Sequence, residues 1–123
     1  MSIQVKSNKV LENLLVHRYH KDLSFMLNWI SVRYSDLVVT SGYRVGDTGV
    51  HGTDPCRGMD IRSWIYSNPQ GIVDDINEHF IYDTDRPKKK CAMLHSVGDG
   101  MHIHLQVHPK SIYVEDGLNV TPI

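Results

Sequence analysis

The sequence contains few cysteines, no long apolar run and no excess of charge of either sign. Its 123 residues include two cysteines, Cys56 and Cys91. Two isolated cysteines supply neither a disulfide framework nor the paired spacing of a zinc ribbon, so we expect two reduced thiols. No stretch approaches the roughly 18 apolar residues of a transmembrane helix, and the chain is therefore not expected to span a membrane.

The charge balance excludes some classes of partner. Lys and Arg number 13 and Asp and Glu 14, which gives a formal net charge of −1. Neither nucleic acid nor an anionic membrane is therefore expected as the main partner. The one basic run, at 86–90, is typical of a solvated loop. The N-terminal stretch MSIQVKSNKVLENLL lacks the basic start and apolar run of a secretory signal, so we expect synthesis in the cytoplasm.

The length and the order of the apolar patterns predict one small α+β domain, residues 1–123. Apolar positions recur with helical spacing before residue 33 and again after Asn68, which with Pro69 is typical of a helix start. Shorter alternating runs are typical of strands. We predict helices at 9–33 and 69–82, strands at Leu37–Thr40, within 56–66, at 91–97 and at 101–107, a hairpin turn at 98–100, and irregular chain at 45–56, at 83–90 and beyond 107. Together these elements predict a small antiparallel sheet with flanking helices.

Histidine is the unusual component, because there are eight and imidazole is the common neutral nitrogen ligand of metals. Alternation places His102 and His104 on one face of the second hairpin strand, and Asp60 lies on one face of an earlier strand. His51 lies in the loop before that earlier strand. Two histidines and one carboxylate, with a fourth position left to water, form the shell of a catalytic zinc ion. By spacing alone, however, a His-x-His pair is more typical of a solvated strand face.

Three segments taken together change that interpretation: SGYR at 41–44, HGTDPCRGMDIR at 51–62 and HIHLQV at 102–107. Their order resembles that of the zinc peptidases that cleave D-amino-acid bonds in peptidoglycan. That group includes D-Ala-D-Ala carboxypeptidases, vancomycin-resistance dipeptidases and phage L-alanyl-D-glutamate endolysins. The resemblance covers about residues 37–107 and implies the metal-binding sheet that these enzymes share with lysostaphin-type endopeptidases and the hedgehog signalling domain. Three positions depart from the pattern: Cys56 replaces a glycine, Gly49 replaces a serine, and the interval from His51 to Asp60 is longer.

The resemblance implies one zinc ion bound by His51, Asp60 and a third residue. Relatives with a His-x-His strand use the second histidine, here His104, and the first then acts near the substrate. Endolysins with a single late histidine show D-x-x-H, which would match Asp99 and make His102 the ligand. The run HIHLQV fits the first form better, so we expect His104 on the metal. Asp54 is a rival carboxylate, but it falls in the longer loop and aligns with nothing.

The same resemblance implies roles for residues around the ion. Asp99 or His102 would take the proton from a water that the metal acidifies, although an Asp beside Gly is also a common turn former. Arg44 resembles the arginine that points at the substrate carbonyl, where a positive charge stabilises the oxyanion; a surface salt bridge is the alternative. Tyr43 is a candidate substrate contact. His95, on the neighbouring strand, is a candidate for supporting a ligand or contacting substrate.

These features predict a zinc-dependent peptidase, either a carboxypeptidase or an endopeptidase, acting on D-Ala-D-Ala or L-Ala-D-Glu bonds of peptidoglycan stem peptides. The small size and the missing signal suit a phage-type protein that reaches the cell wall after release. The alternative is a non-catalytic zinc-binding or virion structural module with the same fold. It is favoured by the longer His51–Asp60 interval and the absence of a clear glutamate base. The residues without ligand spacing are His17, His20, His79, His108 and both cysteines.

Overall fold

A computed structural model describes residues 2–97, 100–115 and 119–122. In those ranges the elements are β1 (Ile3–Val5), α1 (Asn8–Val16), α2 (Lys21–Tyr34), β2 (Leu37–Ser41), a 3₁₀ turn (Val50–Gly52), β3 (Gly58–Arg62), α3 (Pro69–His79), β4 (Phe80–Ile81), β5 (Ala92–Val97), β6 (Gly100–Gln106), β7 (Ile112–Glu115) and β8 (Asn119–Pro122). The protein is therefore a mixed α+β fold, as predicted. Its likeness to the hedgehog and D-Ala-D-Ala peptidase fold stays a prediction.

The main sheet has the strand order β1-β2-β3-β6-β5. β1 runs parallel to β2, and the other neighbours are antiparallel, so the sheet is mixed rather than wholly antiparallel. The prediction missed β1 because three residues are too few to show a period. β3 and β6 are neighbours within the sheet and pair over the whole of β3, from Gly58 opposite Gln106 to Arg62 opposite His102.

One face of this sheet forms the core. Met59 and Ile61 of β3, and Ile103 and Leu105 of β6, are at most 2% exposed. They belong to one apolar cluster with side chains of α2 and α3, namely Leu23, Met26, Leu27, Ile30, Ile72, Val73 and Ile76. Because successive side chains of a strand alternate between faces, the polar residues between them lie on the opposite face. The predicted alternation of side chains along β3 and β6 is therefore confirmed.

The long N-terminal helix predicted from the sequence is instead two helices separated by His17–His20. α2 has its own start, where His20 Nδ1 accepts a hydrogen bond from the Asp22 N–H. The Tyr19 hydroxyl accepts a hydrogen bond from the Tyr43 N–H, which ties the break to the chain after β2. Helical periodicity continues across the break because both helices turn apolar residues towards the same core. The turn at His17–His20 is fixed by contacts with residues distant in the chain, so the helical periodicity of the sequence does not reveal it.

Two predictions in the C-terminal half are also corrected. α3 begins at Pro69 as predicted, with Asn68 Oδ1 accepting from the Gly71 N–H, but it ends at His79 rather than at residue 82. Phe80–Ile81 instead extends as β4 and pairs with β7. The tail beyond residue 107 is not irregular, since β7 and β8 pair there. Such short strands depend on distant partners, so the sequence gives little local signal for them.

The predicted hairpin is present as β5 and β6, which pair antiparallel. Gly98 and Asp99 of its turn lie outside the described residues. Gly100 opens β6 with a φ of 135°, in a region that favours glycine. No helix in the described ranges combines the length and the apolar character needed to cross a membrane.

Replacing Ile103 tests the assignment of the core face. Ile103 is fully buried, and Ile103→Ala should lower the free energy of unfolding by about 2–5 kcal/mol because it leaves a cavity. Ile3→Ala makes the same chemical change at a side chain that is 49% exposed, and it should cost less than about 1 kcal/mol. Urea denaturation followed by circular dichroism measures both, and equal losses would contradict the assignment.

Candidate metal centre

His51, Asp60 and His104 come from three parts of the chain and meet on the sheet face opposite the core. Asp60 lies in the middle of β3, directly opposite His104 of β6. His51 lies in the 3₁₀ turn. All three residues are buried, with 2–7% of their surface exposed. They form a group whose ligand atoms could hold a metal ion, so this set is the one predicted with His104 as the third member.

Gly58 allows the turn that carries His51 to approach β3. A Cβ atom on residue 58 would lie 2.6 Å from Val50 Cγ2 and 3.0 Å from the Val50 carbonyl carbon. The Arg57 N–H donates to the Val50 carbonyl oxygen, and the Arg44 N–H donates to the His51 carbonyl oxygen. The turn is therefore held from both sides. The longer loop after His51 still returns to the strand, as the small entropic cost of added loop residues allows.

The three ligand atoms have the spacing that a tetrahedral ion requires. His104 Nδ1 is 2.9 Å from Asp60 Oδ1, and His51 Nε2 is 3.4 Å from the same oxygen. The two nitrogens are 3.3 Å apart. Metal–ligand bonds of about 2.0–2.1 Å at tetrahedral angles place ligand atoms about 3.3–3.4 Å from one another. A first-row divalent ion therefore fits among these atoms with small adjustments.

Hydrogen bonds determine which nitrogen of each histidine faces this point. His51 Nδ1 is 2.7 Å from the Gly42 carbonyl oxygen, which can only accept, so Nδ1 carries the proton. His104 Nε2 is 3.1 Å from Gln106 Oε1. The amide nitrogen of Gln106 donates to the Lys90 carbonyl oxygen at 2.7 Å, which fixes the amide orientation and makes His104 Nε2 a donor. The outer nitrogens donate, and the inner nitrogens keep their lone pairs, as in metal-binding histidines.

These lone pairs repel one another unless a cation lies among them. Burial acts to raise the pKa of Asp60, but its hydrogen-bonding and electrostatic interactions with His104 and His51 outweigh that effect, so the pKa of Asp60 lies well below its usual range. The carboxylate is therefore ionised, and either a proton or a metal ion must balance it at this point. Two imidazoles and a carboxylate form a donor set that suits zinc and its first-row neighbours.

Arg44 binds the other oxygen of Asp60. Its Nη2 donates to Asp60 Oδ2 at 2.6 Å, and its Nε donates to Ser41 Oγ at 3.1 Å. The guanidinium thus leaves Oδ1 for an ion and fixes the orientation of the carboxylate. The salt-bridge alternative considered for Arg44 is present: its short partner is the buried Asp60, and the partly exposed Asp47 lies at 3.9 Å. The Arg44 side chain is 37% exposed, and its action on a substrate stays a prediction.

His95 and His102 flank the group without joining it. They face each other in the β5–β6 pair, and His102 lies opposite Arg62 on its other side. His95 Nε2 is 3.7 Å from Asp60 Oδ1, and the His95 ring packs against the edge of His104. Within the described part of the chain, His95 Nε2 and His102 Nδ1 are buried without a hydrogen-bond partner. Two buried imidazole nitrogens without a hydrogen bond to any described residue therefore lie beside the group.

The remaining predicted residues lie at the margin of the site or away from it. Tyr43 stacks on His17 and lines a cavity of about 290 Å³. Asp54 forms an exposed salt bridge with Arg18 and takes no part in the group. Asp99, predicted as a base or turn former, lies outside the described residues.

Neither cysteine contributes a ligand. Cys56 and Cys91 are free and buried, as expected of two reduced thiols. Burial raises the pKa of Cys91 to about 12 and also raises the pKa of Cys56. Both therefore stay as thiols, which bind metal poorly.

The groups that orient the ligands were not predicted from the sequence. Gln106 lies two residues after His104, so strand alternation was the signal that could have placed it on the same face. The Gly42 carbonyl that orients His51 has no signal in the sequence, because every residue carries a carbonyl and only the fold aims this one.

A second acidic group on α3, comprising Asp75, Glu78 and His79, has ligand atoms close together. The Asp75 carboxylate is already bound by Arg33 at 2.6 Å and by the Tyr34 hydroxyl. His79 Nδ1 donates to the Asp75 carbonyl oxygen. These contacts make Asp75 and His79 part of a hydrogen-bonded ion-pair network between α2 and α3.

Comparison of the chain with protein-family models, with curated proteins and with solved structures gave no match. The family resemblance drawn from the three sequence segments therefore stays a prediction.

Metal titration tests the choice between the two late histidines. The protein should bind one equivalent of Zn²⁺, and His51→Ala or His104→Ala should weaken binding by more than about 100-fold, because loss of a ligand exceeds the effect of losing a supporting group. His102→Ala is the matched control, two residues away on the same strand face, and should keep near wild-type affinity. Isothermal titration calorimetry measures all four proteins. Strong binding in His104→Ala together with loss in His102→Ala would reverse the assignment.

Replacing Gln106 tests the orientation of His104. Gln106→Leu removes the acceptor that holds the Nε2 proton of His104, and metal affinity should fall by about 10–100-fold. Gln70→Leu, on the exposed face of α3, removes only a hydrogen bond to Asp74 and should leave the affinity unchanged. Competition with a chelating dye gives both affinities. An unchanged affinity in Gln106→Leu would contradict the orienting role.

Proposed function

We propose that this protein is a zinc-dependent peptidase that hydrolyses bonds in the stem peptides of peptidoglycan. The observation that carries the proposal is the buried His51–Asp60–His104 group, in which three lone pairs converge. Two imidazole nitrogens that have no hydrogen bond to any described residue lie beside it. Three protein ligands leave the fourth coordination position of a tetrahedral ion open to water or substrate. This arrangement is typical of catalytic rather than structural zinc. Structural sites are usually closed by a fourth ligand and rich in thiolates.

The chain supplies the groups that peptide hydrolysis needs around such an ion. Bound zinc would polarise a carbonyl and lower the pKa of water. His102 Nδ1 and His95 Nε2 have no hydrogen-bond partner among the described residues, and in this proposal one of these two rings accepts a proton from water and returns it to the leaving amine. Arg44 is partly exposed next to Asp60 and supplies positive charge near a developing oxyanion.

The substrate part of the proposal rests on the segments that carry the family resemblance. In the fold these segments converge on one place. Arg44 of SGYR contacts Asp60 of the second segment, and Asp60 contacts His104 of the third. This convergence at one buried charge supports the resemblance from which the substrate is proposed. Synthesis in the cytoplasm and action on the cell wall after release, as in a phage-type enzyme, complete the proposal.

Digestion of purified peptidoglycan tests the proposed activity. Zinc-loaded protein should release new amino groups and shortened stem peptides, detected by mass spectrometry, and chelation should abolish the release. His102→Ala and His95→Ala should both retain the metal. Replacing whichever of these histidines transfers the proton should lower the rate of peptidoglycan cleavage by about 10²–10⁴-fold. His79→Ala is the control: His79 lies on α3 and outside the His51–Asp60–His104 group, so this variant should cleave peptidoglycan at the wild-type rate.

Two outcomes would overturn the proposal. If the protein binds one zinc ion but cleaves no muropeptide, the centre belongs to a non-catalytic zinc-binding or structural module. If cleavage persists in His51→Ala, the reaction does not depend on this group.

A further inference from the structure

A cavity of about 330 Å³ lies beside the metal centre. Arg62 and His102, which lie opposite each other in the β3–β6 pair, both line it. Arg62 follows Asp60 by two residues, and His102 precedes His104 by two residues, so both share the face of the ligands. Two residues of strand span about 7 Å. The cavity therefore continues the site along the strands and away from the metal group.

Arg62 presents unused hydrogen-bond donors to this cavity. Its guanidinium carbon lies 4.8 Å from the centre of the Trp64 ring, and this stacking holds the group in place. Within the described residues, the Arg62 side chain has no hydrogen bond or ion pair. Stacking occupies the face of a guanidinium and leaves its edge free, and that edge matches the two oxygens of a carboxylate.

Lys6 adds a second positive charge. It directly follows β1, its N–H donates to the Val39 carbonyl oxygen, and it is among the residues that line the cavity. Its ammonium group forms no ion pair with any residue in the described ranges. None of the described residues that line the cavity carries a carboxylate. By contrast, Arg44, on the other side of Asp60, is already paired with that residue.

We propose that this cavity binds a carboxylate of the peptide substrate, with Arg62 as a two-pronged partner and Lys6 as a second cation. The proposal rests on the proposed peptidase function. An extended peptide advances about 3.3–3.6 Å per residue, so a separation of about 7 Å places the bound carboxylate within two residues of the scissile bond. Trp64, which is 72% exposed, provides an apolar wall for the aliphatic part of that residue.

The test compares two probes that differ only in this charge. N-acetyl-D-alanyl-D-alanine and its C-terminal amide are titrated into zinc-loaded protein, and binding is followed by NMR, including the Arg62 Nε–H signal. The acid should bind at least about tenfold more tightly than the amide, as expected for a charge-assisted pair of hydrogen bonds. Arg62→Ala should remove this preference, and Lys6→Ala should reduce it. Lys88→Ala removes one positive charge from an exposed loop and should leave the preference intact.

Several results would overturn the carboxylate site. These are equal binding of acid and amide, no binding of either, or an unchanged preference in Arg62→Ala. Inorganic phosphate is a further probe: if it shifts the Arg62 signal as strongly as the acid peptide does, the cavity attracts any anion and does not recognise a peptide carboxylate.

The binding measurement needs no cleavage, so the two proposals fail separately. Preference for the acid without hydrolysis would keep the carboxylate site and remove the peptidase function. Peptidoglycan hydrolysis by an Arg62→Ala variant with an unchanged KM would keep the function and remove the site.

Discussion

The structure depends on how one buried negative charge is balanced. Asp60 is 2% exposed, and an ionised carboxylate in such a position is costly unless partners compensate it. Arg44 compensates one oxygen. The other oxygen faces one nitrogen of His51 and one of His104, and neither of these nitrogens carries a proton. The proton of each ring is on its other nitrogen, which donates to the Gly42 carbonyl oxygen or to the Gln106 amide oxygen. The outer hydrogen bonds thus create a place that only a cation fills favourably.

The sheet makes this place possible by separating two chemistries on its two faces. Ile103 and Leu105 pack into the core, while His102 and His104 on the same strand face away from it. The β3–β6 register brings Asp60 opposite His104 and Arg62 opposite His102. The same pairing therefore forms both the group that could hold a metal ion and, two residues along the strands, the cavity lined by Arg62 and His102. The candidate metal site and the proposed carboxylate site therefore lie next to each other on one face of the sheet.

Much of the site was accessible from sequence because strand alternation is a local property. It placed His102 and His104 on a common face, but for that reason it did not distinguish them. Only the register does so, because His104 lies directly opposite Asp60 whereas His102 is displaced by two residues. His51 was assigned by resemblance, and the fold supplies the physical cause in Gly58, which has no side chain to keep the turn away from β3.

The sequence by itself determined the α+β class, the apolar and polar faces of the central strands and the residues able to bind metal. These follow from side-chain chemistry and from periods of two or a few residues. Tertiary structure decided the break at His17–His20, the pairing of β1 and of the C-terminal strands, the tautomers of the two ligand histidines and the choice of His104. Each of these depends on a carbonyl, hydroxyl or strand that is distant in the chain, and such contacts exist only after the chain has folded.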